Sequence, residues 1–275
     1  MAVKLRSIET KLSDLDRQVA TRAFAEMIEA VRRWRDDAGA TLFHLTANPQ
    51  PPILTAIIGG TGTGKSTLLN RLLDANISKA NFRRTYTSGV VAVAREARHI
   101  PNGWLGLPHV SIASDQLPVK GDTQSLQIVE QDHPLLQRLI LIDTPDLDGD
   151  TPAHHAQADR AFRWAQQILF VVTPEKYQMT ELLPYYRLAA RYRVGARFVM
   201  NKCEDQACVD DYQKQLATRE HSGTVIAIPR DDATFLPATS LEDLKKDWES
   251  QKPASDDERQ AGLANRLADL INRLS

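Results

Sequence analysis

The stretch 59–66 reads Gly-Gly-Thr-Gly-Thr-Gly-Lys-Ser and matches the pattern G-x-x-x-x-G-K-[ST] at every fixed position. In such a loop, backbone N–H groups surround phosphate oxygens, so side chains must be small and some residues must adopt positive φ. The residues expected to supply that freedom are Gly59, Gly62 and Gly64. Lys65 would reach the β- and γ-phosphates, and the Ser66 hydroxyl would ligate Mg²⁺. The predicted ligand is therefore a nucleoside triphosphate.

The loop 59–66 is a P-loop, and the segments on either side of it have the pattern that this motif requires. Ile53–Ile58 is a short apolar run typical of a buried strand, and leucines recur at helical spacing over 67–73. A helix that begins after Gly64 would direct its positive dipole end toward the same anion. The predicted nucleotide contacts of this loop are Gly59, Gly60, Thr61, Gly62, Thr63, Gly64, Lys65, Ser66 and Thr67.

From residue 53 onward, short apolar runs alternate with amphipathic helical patterns, which is typical of an α/β domain with a mostly parallel sheet. The expected strands are 53–58, 90–94, 139–143, 168–173, 197–200 and 225–228, with a further strand around 126–130. The expected helices are 65–73, 153–166, 180–192, 206–220 and 241–249. The rest of the stretch 96–134 has no clear pattern.

Helical patterns flank this α/β region. Apolar residues step by three and four from Leu5 to Val19, and leucines form a stripe over 263–274. The sequence therefore predicts a three-layer α/β P-loop NTPase domain with a mostly parallel central sheet, flanked by N- and C-terminal helices. The expected domains are an N-terminal helical segment at 1–50, the α/β domain at 51–250 and a C-terminal helix at 251–275.

The composition is that of an ordinary globular protein. Of 275 residues, 42% are hydrophobic and 25% are charged, and the formal net charge is −1. This charge gives no bulk attraction to nucleic acid or acidic lipid, so no nucleic-acid partner is expected. No apolar run approaches the roughly 18–20 residues that cross a bilayer. Two cysteines are too few for a disulfide framework, and the cytoplasm is the expected compartment.

A second candidate metal ligand, Asp143, ends the apolar run Leu139–Asp143, about 80 residues after the P-loop. An acidic residue at such a strand tip is suited to a Mg²⁺ site beside the phosphates. In a parallel sheet Asp143 would lie at the carboxyl edge, where ligands bind. We therefore expect Asp143 to join Ser66 at a magnesium site.

A third motif, Asn-Lys-Cys-Glu at 201–204, follows another apolar run. Together with the P-loop and Asp-Thr-Pro at 143–145, in this order and spacing, it resembles the motifs of translation-factor-class P-loop GTPases. Within that class the chain is similar to the Era-like and dynamin-like branches. The resemblance covers residues 53–250 and implies GTP and GDP as ligands, with Mg²⁺ as cofactor.

The resemblance assigns the loop 201–204 to recognition of the base. Asn201 would hold the loop, and the aliphatic stem of Lys202 would cover the base. The family has an aspartate where this chain has Glu204, and that carboxylate accepts two hydrogen bonds from guanine that adenine does not offer. Because glutamate is one methylene longer, Asp205 is an alternative reader. GTP is expected in preference to ATP.

The resemblance also implies a second switch after Asp143. Asp146 stands where the family has a glycine whose N–H contacts the γ-phosphate, so its charge would repel the phosphate unless its side chain points away. Leu147 stands where Ras-like enzymes place the glutamine that orients the attacking water. Hydrolysis must then be arranged by another group.

The first switch is expected just before the strand at 90–94. Thr87 is the preferred ligand of Mg²⁺ and the γ-phosphate, with Thr85 as the alternative. Arg84 lies three residues earlier, at the spacing of the arginine that stabilises the transition state in cis in heterotrimeric Gα proteins. Gly62 replaces the asparagine of Era-like enzymes and the serine of dynamin-like enzymes, so unaided hydrolysis is expected to be slow. The expected catalytic residues are Lys65, Thr87 and Arg84.

Two segments are candidates for the loop that closes over the base, namely 228–230 (Ile-Pro-Arg) and 238–240 (Ala-Thr-Ser). The leading function is a Mg²⁺-dependent GTP-binding and GTP-hydrolysing switch, with a dynamin-like role as one form. The alternatives are a nucleotide-dependent scaffold with little hydrolysis and an ATP-using P-loop NTPase. The resemblance implies a protein effector, a homodimer through the nucleotide face and, from the dynamin-like branch alone, peripheral membrane association.

Overall fold

The computed structural model describes residues 2–20, 25–47, 52–79, 87–149, 151–230, 236–250 and 254–274. The helices are α1 (Ala2–Ala20), α2 (Ala25–Thr46), α3 (Lys65–Leu72), α4 (Pro152–Trp164), α5 (Leu183–Arg191), α6 (Gln206–Ala217), α7 (Leu241–Ser250) and α8 (Asp256–Leu274). The strands are β1 (Ile53–Ile58), β2 (Val91–Ala94), β3 (His109–Ile112), β4 (Leu126–Glu130), β5 (Leu139–Asp143), β6 (Gln167–Val172), β7 (Gly195–Cys203) and β8 (Val225–Pro229).

The strands of the described chain form one sheet in the order β3-β4-β2-β5-β1-β6-β7-β8. Neighbouring strands are parallel except β2 and β5, which are antiparallel. The central strands β5, β1 and β6 are buried along almost their whole length, as expected of strands whose two faces are both covered. The predicted α/β fold with a mostly parallel sheet is confirmed.

Strand β4 matches the extra strand expected around 126–130, whereas the edge strand β3 was not predicted. β3 has four residues, His-Val-Ser-Ile at 109–112, and all four are exposed or only partly buried. A short edge strand needs little apolar surface, because only one of its sides pairs with the sheet. Its sequence therefore lacks the apolar run that marks the central strands.

The leucines of helix α3 pack against the sheet, and this packing also positions the P-loop that leads into the helix. Leu68, Leu69 and Leu72 are fully buried and share one apolar cluster with Ile57 of β1 and Val171 of β6. Full burial of each such side chain stabilises the fold by about 1.5–3 kcal/mol. The start of α3 at Lys65 is therefore held rigidly beside the end of β1.

The described chain comprises two compact units. One contains α1, α2, α8 and Arg191–Arg193, and the other contains the sheet with the helices around it. In the first unit, Leu12 of α1, Ala38 of α2 and Leu270 of α8 lie in one buried cluster. The two terminal apolar stripes thus both pack with α2. Among the described helices, none combines the length and the apolar character needed to cross a membrane.

Candidate functional site

The glycines of the P-loop serve two different purposes. Gly62 and Gly64 have φ of 73° and 90°, in the left-handed region that favours glycine. A Cβ on Gly64 would also lie 2.3 Å from Asn201 Nδ2. The expectation of positive φ was wrong for Gly59. A Cβ there would lie 2.2 Å from the carbonyl oxygen of Val171, so close packing against β6 is what requires glycine.

Of the remaining P-loop residues, some hydrogen-bond within the loop and others lie in the first turn of α3. The Thr63 hydroxyl is buried and donates to the Gly60 carbonyl oxygen at 2.9 Å. Thr61 is partly buried, and Thr67 is exposed in the first turn of α3. The loop is therefore held in shape by its own hydrogen bonds before any ligand is considered.

The Lys65 ammonium is buried among three oxygen acceptors, with 4% of its side chain exposed. It donates to the carbonyl oxygens of Gly59 at 3.0 Å and Gly60 at 3.2 Å. Its third contact is an ion pair with Asp146 Oδ1 at 2.5 Å. A phosphate at Lys65 would require the Asp146 side chain to point away, and the structure places that side chain on the lysine instead.

The three expected metal ligands lie close together. Ser66 Oγ donates to Asp143 Oδ2 at 2.6 Å, Thr87 Oγ1 lies 3.5 Å from the same oxygen, and the two hydroxyl oxygens are 3.2 Å apart. Asp143 is fully buried, and its Oδ1 has no hydrogen-bond partner among the described residues. Burial raises the pKa of Asp143, although hydrogen bonds from Ser66 and Ser78 act in the opposite direction. A buried carboxylate beside two hydroxyls suits a hard cation such as Mg²⁺.

Ser78 belongs to this cluster, although no sequence motif indicates it. Its buried hydroxyl donates to Asp143 Oδ2 at 2.5 Å. Asn70 of α3 places it, because Asn70 Oδ1 accepts hydrogen bonds from the N–H groups of Ile77 and Ser78 at 3.0 and 2.9 Å. A serine in the loop after α3 has no distinctive spacing, so only the folded chain brings it to the carboxylate.

The loop 201–204 is fastened to the P-loop by two side chains. Asn201 Nδ2 donates to the Thr63 carbonyl oxygen at 2.8 Å, and Lys202 Nζ donates to the Gly62 carbonyl oxygen at 2.8 Å. Lys202 has a φ of 57°, which is uncommon for a residue with a side chain. The two motifs therefore lie against each other at one edge of the sheet.

The two candidate readers of the base have different surroundings. The Glu204 side chain is 58% exposed, and its Oε1 lies 2.8 Å from Arg230 Nε. A different nitrogen of Arg230, Nη2, donates a hydrogen bond to Glu175 Oε1 at 3.1 Å. The Asp205 carboxylate instead caps α6, since Oδ1 accepts a hydrogen bond from Cys208 N at 2.9 Å. Of the two carboxylates, Asp205 therefore serves as a helix cap and Glu204 does not.

The two candidates for the base-closing loop also differ. Arg230 N donates to the Cys203 carbonyl oxygen at 3.1 Å, which attaches the end of 228–230 to the loop 201–204. In 238–240, Thr239 Oγ1 accepts from Ala227 N at 2.9 Å, and the Ser240 hydroxyl caps α7. The segment 228–230 is therefore in contact with the loop 201–204, whereas the segment 238–240 hydrogen-bonds to β8 and caps α7.

A further carboxylate of the second switch, Asp148, also contacts the P-loop and was not predicted. Its Oδ1 accepts hydrogen bonds from the Thr61 N–H at 2.5 Å and the Thr61 hydroxyl at 2.8 Å, and its Oδ2 pairs with Lys176 Nζ at 2.6 Å. Burial raises the pKa of Asp148, but the hydrogen bonds from Lys176 and Thr61 outweigh it and lower the pKa to about 2. Asp148 and Lys176 fit no family motif, so the sequence held no signal for them.

The structure describes the first switch from Thr87 onward. Arg84 and the alternative ligand Thr85 lie outside the described residues. Thr87 is the described residue of that segment that reaches the cluster around Asp143.

Several solved structures are similar to this one. A bacterial dynamin from a pair that tethers membranes aligns with a TM-score of 0.52 and 12% identity, over 96% of this chain and 46% of that chain. Era of Aquifex aeolicus bound to GDP and AlF4⁻ aligns with a TM-score of 0.46 and 18% identity, over 74% of this chain and 58% of that one. NFeoB of S. thermophilus bound to GDP and AlF4⁻ aligns with a TM-score of 0.42 and 14% identity, over 80% and 83% of the two chains.

The chain therefore spans only about half of the Era and dynamin chains that it matches. No curated protein sequence matches it significantly. The family model described as "50S ribosome-binding GTPase" matches residues 54–202, which is more than half of the chain. The match includes the P-loop, Asp-Thr-Pro at 143–145 and the first two residues of the third motif, Asn201 and Lys202. The chain belongs to this GTPase family, and its predicted resemblance to translation-factor-class P-loop GTPases is confirmed.

Proposed function

We propose that this protein is a Mg²⁺-dependent switch that binds GTP and GDP and hydrolyses GTP. The observation that carries the proposal is the meeting of three motifs at the carboxyl edge of the sheet. The buried Lys65 lies beside an oxygen cluster formed by Ser66, Thr87 and Asp143. Asn201 is attached to the same loop from the other side. Membership of a GTPase family supports the assignment of this arrangement to guanine nucleotides.

In the proposed site, Ser66 and Thr87 would hold a magnesium ion by their hydroxyls, and Asp143 would support it from the sheet edge. The free Oδ1 of Asp143 and its complete burial support this assignment, since a divalent cation would stabilise the ionised carboxylate. Bound there, Mg²⁺ would supply positive charge that offsets the negative charge of the phosphates. Ser78 orients Asp143 by donating to the oxygen that also faces Ser66.

Glu204 is the proposed reader of guanine. Its exposed position at the end of β7, and the use of Asp205 as a helix cap, support this choice. Arg230 would place the Glu204 carboxylate, while its main-chain N–H attaches the end of the segment 228–230 to the same loop. An ion pair between two partly exposed side chains is worth only about 0–1 kcal/mol, so it would not prevent Glu204 from turning to a base.

Hydrolysis is proposed to be slow without a partner. The place of the water-orienting glutamine is taken by Leu147, whose side chain is 4% exposed and cannot hydrogen-bond to water. Arg84 remains the proposed source of positive charge at the transition state. A protein effector, a homodimer through the nucleotide face, a cytoplasmic location and dynamin-like association with membranes are proposals that rest on the family resemblance.

A second candidate function is a nucleotide-dependent scaffold that hydrolyses little. The ion pair between Lys65 and Asp146 favours it, because the lysine that would stabilise the transferred phosphoryl group is occupied by a carboxylate. A single-turnover assay of purified protein with GTP separates the two. A rate equal to the rate without protein, together with normal GTP affinity, would favour the scaffold.

The experiment that tests the main proposal is competition of GTP, GDP, ATP and ADP against a fluorescent guanine nucleotide in the presence of Mg²⁺. The wild type, Glu204→Ala and the control Glu249→Ala, an exposed glutamate of α7, are compared. We expect guanine nucleotides to bind at least about tenfold more tightly than adenine nucleotides, because each hydrogen bond to a charged acceptor contributes about 1.5–3 kcal/mol. Glu204→Ala should lose this preference and Glu249→Ala should keep it. Equal competition by ATP in the wild type would exclude guanine recognition and favour the ATP-using alternative.

A further inference from the structure

All three hydrogen-bond donors of the Lys65 ammonium already have acceptors. An ammonium group has three N–H donors and no acceptor. Two of them face the carbonyl oxygens of Gly59 and Gly60, and the third faces Asp146 Oδ1 at 2.5 Å. A phosphate oxygen can bind this lysine only by displacing one of these three oxygens.

The acceptor most readily displaced is Asp146. The two carbonyl oxygens belong to the P-loop itself, whose backbone is fixed between β1 and α3. Asp146 lies in a loop after β5, and its side chain reaches Lys65 by rotation about its own bonds. Both the lysine and the aspartate are buried, at 4% and 12% exposure, so the pair is only weakly screened by solvent.

We propose that Asp146 competes with the terminal phosphate for Lys65, so that the protein prefers a nucleoside diphosphate and must release Asp146 to bind a triphosphate. This inference rests on the proposed function, because it concerns the same nucleotide site. A lysine at this place reaches the β- and γ-phosphates. A triphosphate adds one more phosphate group, and hence more negative charge, on the side where the second switch lies. The carboxylate therefore opposes a triphosphate more strongly than a diphosphate.

The residues that follow Asp146 hold the segment beside the P-loop. Asp148, two residues later, bonds to both the N–H and the hydroxyl of Thr61. Between them, the N–H of Leu147 donates to the Gly59 carbonyl oxygen at 3.3 Å. Three consecutive residues of the second switch are thus attached to the P-loop. Because Asp146 can leave Lys65 by rotation of its side chain, the contacts of Leu147 and Asp148 can persist, and a triphosphate has to displace only the Asp146 carboxylate.

The size of the repulsion between the Asp146 carboxylate and the terminal phosphate can be estimated from their charges. Two unit charges about 5 Å apart, at an effective dielectric constant of about 20, repel strongly enough to change an affinity by about a hundredfold. Rotation of the carboxylate away from the phosphate relieves part of this repulsion. Removing the charge should therefore shift the ratio of triphosphate to diphosphate affinity by at least about tenfold.

The test measures dissociation constants for GDP and for a non-hydrolysable GTP analogue, both with Mg²⁺, by competition with a fluorescent guanine nucleotide. The proteins are the wild type, Asp146→Asn, Asp146→Gly and the control Asp115→Asn. Asn keeps the shape of the side chain, and Gly removes it. Asp115 is an exposed aspartate in a short 3-10 helix after β3, so its variant changes the net charge equally.

We expect the wild type to bind GDP more tightly than the analogue. Both Asp146 variants should gain affinity for the analogue relative to GDP by at least about tenfold, whereas Asp115→Asn should match the wild type. Unchanged ratios in both Asp146 variants, with nucleotide binding retained, would overturn the inference and leave the proposed function intact. Failure of the wild type to bind either guanine nucleotide would overturn the proposed function itself.

Discussion

Replacing Asp148 by asparagine should destabilise the protein at neutral pH and have progressively less effect in acid. The ion pair with Lys176 and the hydrogen bonds from Thr61 outweigh burial and lower the pKa of Asp148 from 3.8 to about 2. A carboxyl group whose pKa is lowered by folding stabilises the native state above its unfolded pKa, and this contribution is lost as the pH falls through the folded pKa. The relevant window therefore runs from about pH 4 down to about pH 2.

The magnitude follows from the same values. At about 1.4 kcal/mol per pH unit, the lowering from 3.8 to about 2 would be worth about 2–3 kcal/mol. Because the carboxylate is partly exposed to solvent, screening reduces this to about 1 kcal/mol. Asparagine keeps an oxygen that can accept from Thr61 but lacks the charge that pairs with Lys176. We therefore expect Asp148→Asn to lower the free energy of unfolding by about 1 kcal/mol at pH 7.

Urea unfolding of the nucleotide-free protein at pH 7, 5, 4 and 3 measures this difference, with Asp115→Asn as the control for a change of net charge. The difference between the wild type and Asp148→Asn should be constant from pH 7 to pH 5 and smaller at pH 3. The control should show no such dependence. If Asp148→Asn is less stable than the wild type by the same amount at pH 3 and pH 7, or is equally stable at pH 7, the low pKa of Asp148 does not come from the contacts with Lys176 and Thr61.

Two further substitutions test the supports of the site. Ser78→Ala should lower the free energy of unfolding in urea by about 1.5–3 kcal/mol, because it removes a hydrogen-bond donor from the buried Asp143 carboxylate. Ser111→Ala, on the exposed edge strand, should have little effect. Equal losses of stability in the two variants would contradict the role of Ser78. Gly64→Ala should weaken binding of a fluorescent guanine nucleotide by at least about tenfold, since its Cβ would lie 2.3 Å from Asn201 Nδ2. Gly103→Ala also has positive φ but has open space around its Cβ, so it should leave affinity unchanged, and a similar loss there would argue against the clash.

The central strands and the helices between them could be predicted from the sequence because their apolar patterns are local. Runs such as 139–143 are buried on both faces of the sheet, so nearly every residue must be apolar and the pattern is plain. The edge strand β3 could not be predicted, because a strand that is exposed on one side and only four residues long needs no such run. The positive φ at Gly62 and Gly64 also follows from the motif, whereas the need for glycine at Gly59 depends on a carbonyl oxygen of β6 that is distant in the sequence.

The sequence by itself determined the order of the motifs, the fold class and the family, since each depends on residue types at short, regular spacings. The P-loop, Asp143 and the loop 201–204 can be found without knowing how the chain folds. Only the tertiary structure decided which charged groups meet between these motifs. The direction of the Asp146 side chain, the contact of Asp148 with the P-loop and the donation from Ser78 depend on rotamers and loop paths that connect residues far apart in the chain. Such contacts are set by the packing of the whole sheet, because the energy of a buried charge depends on every group around it.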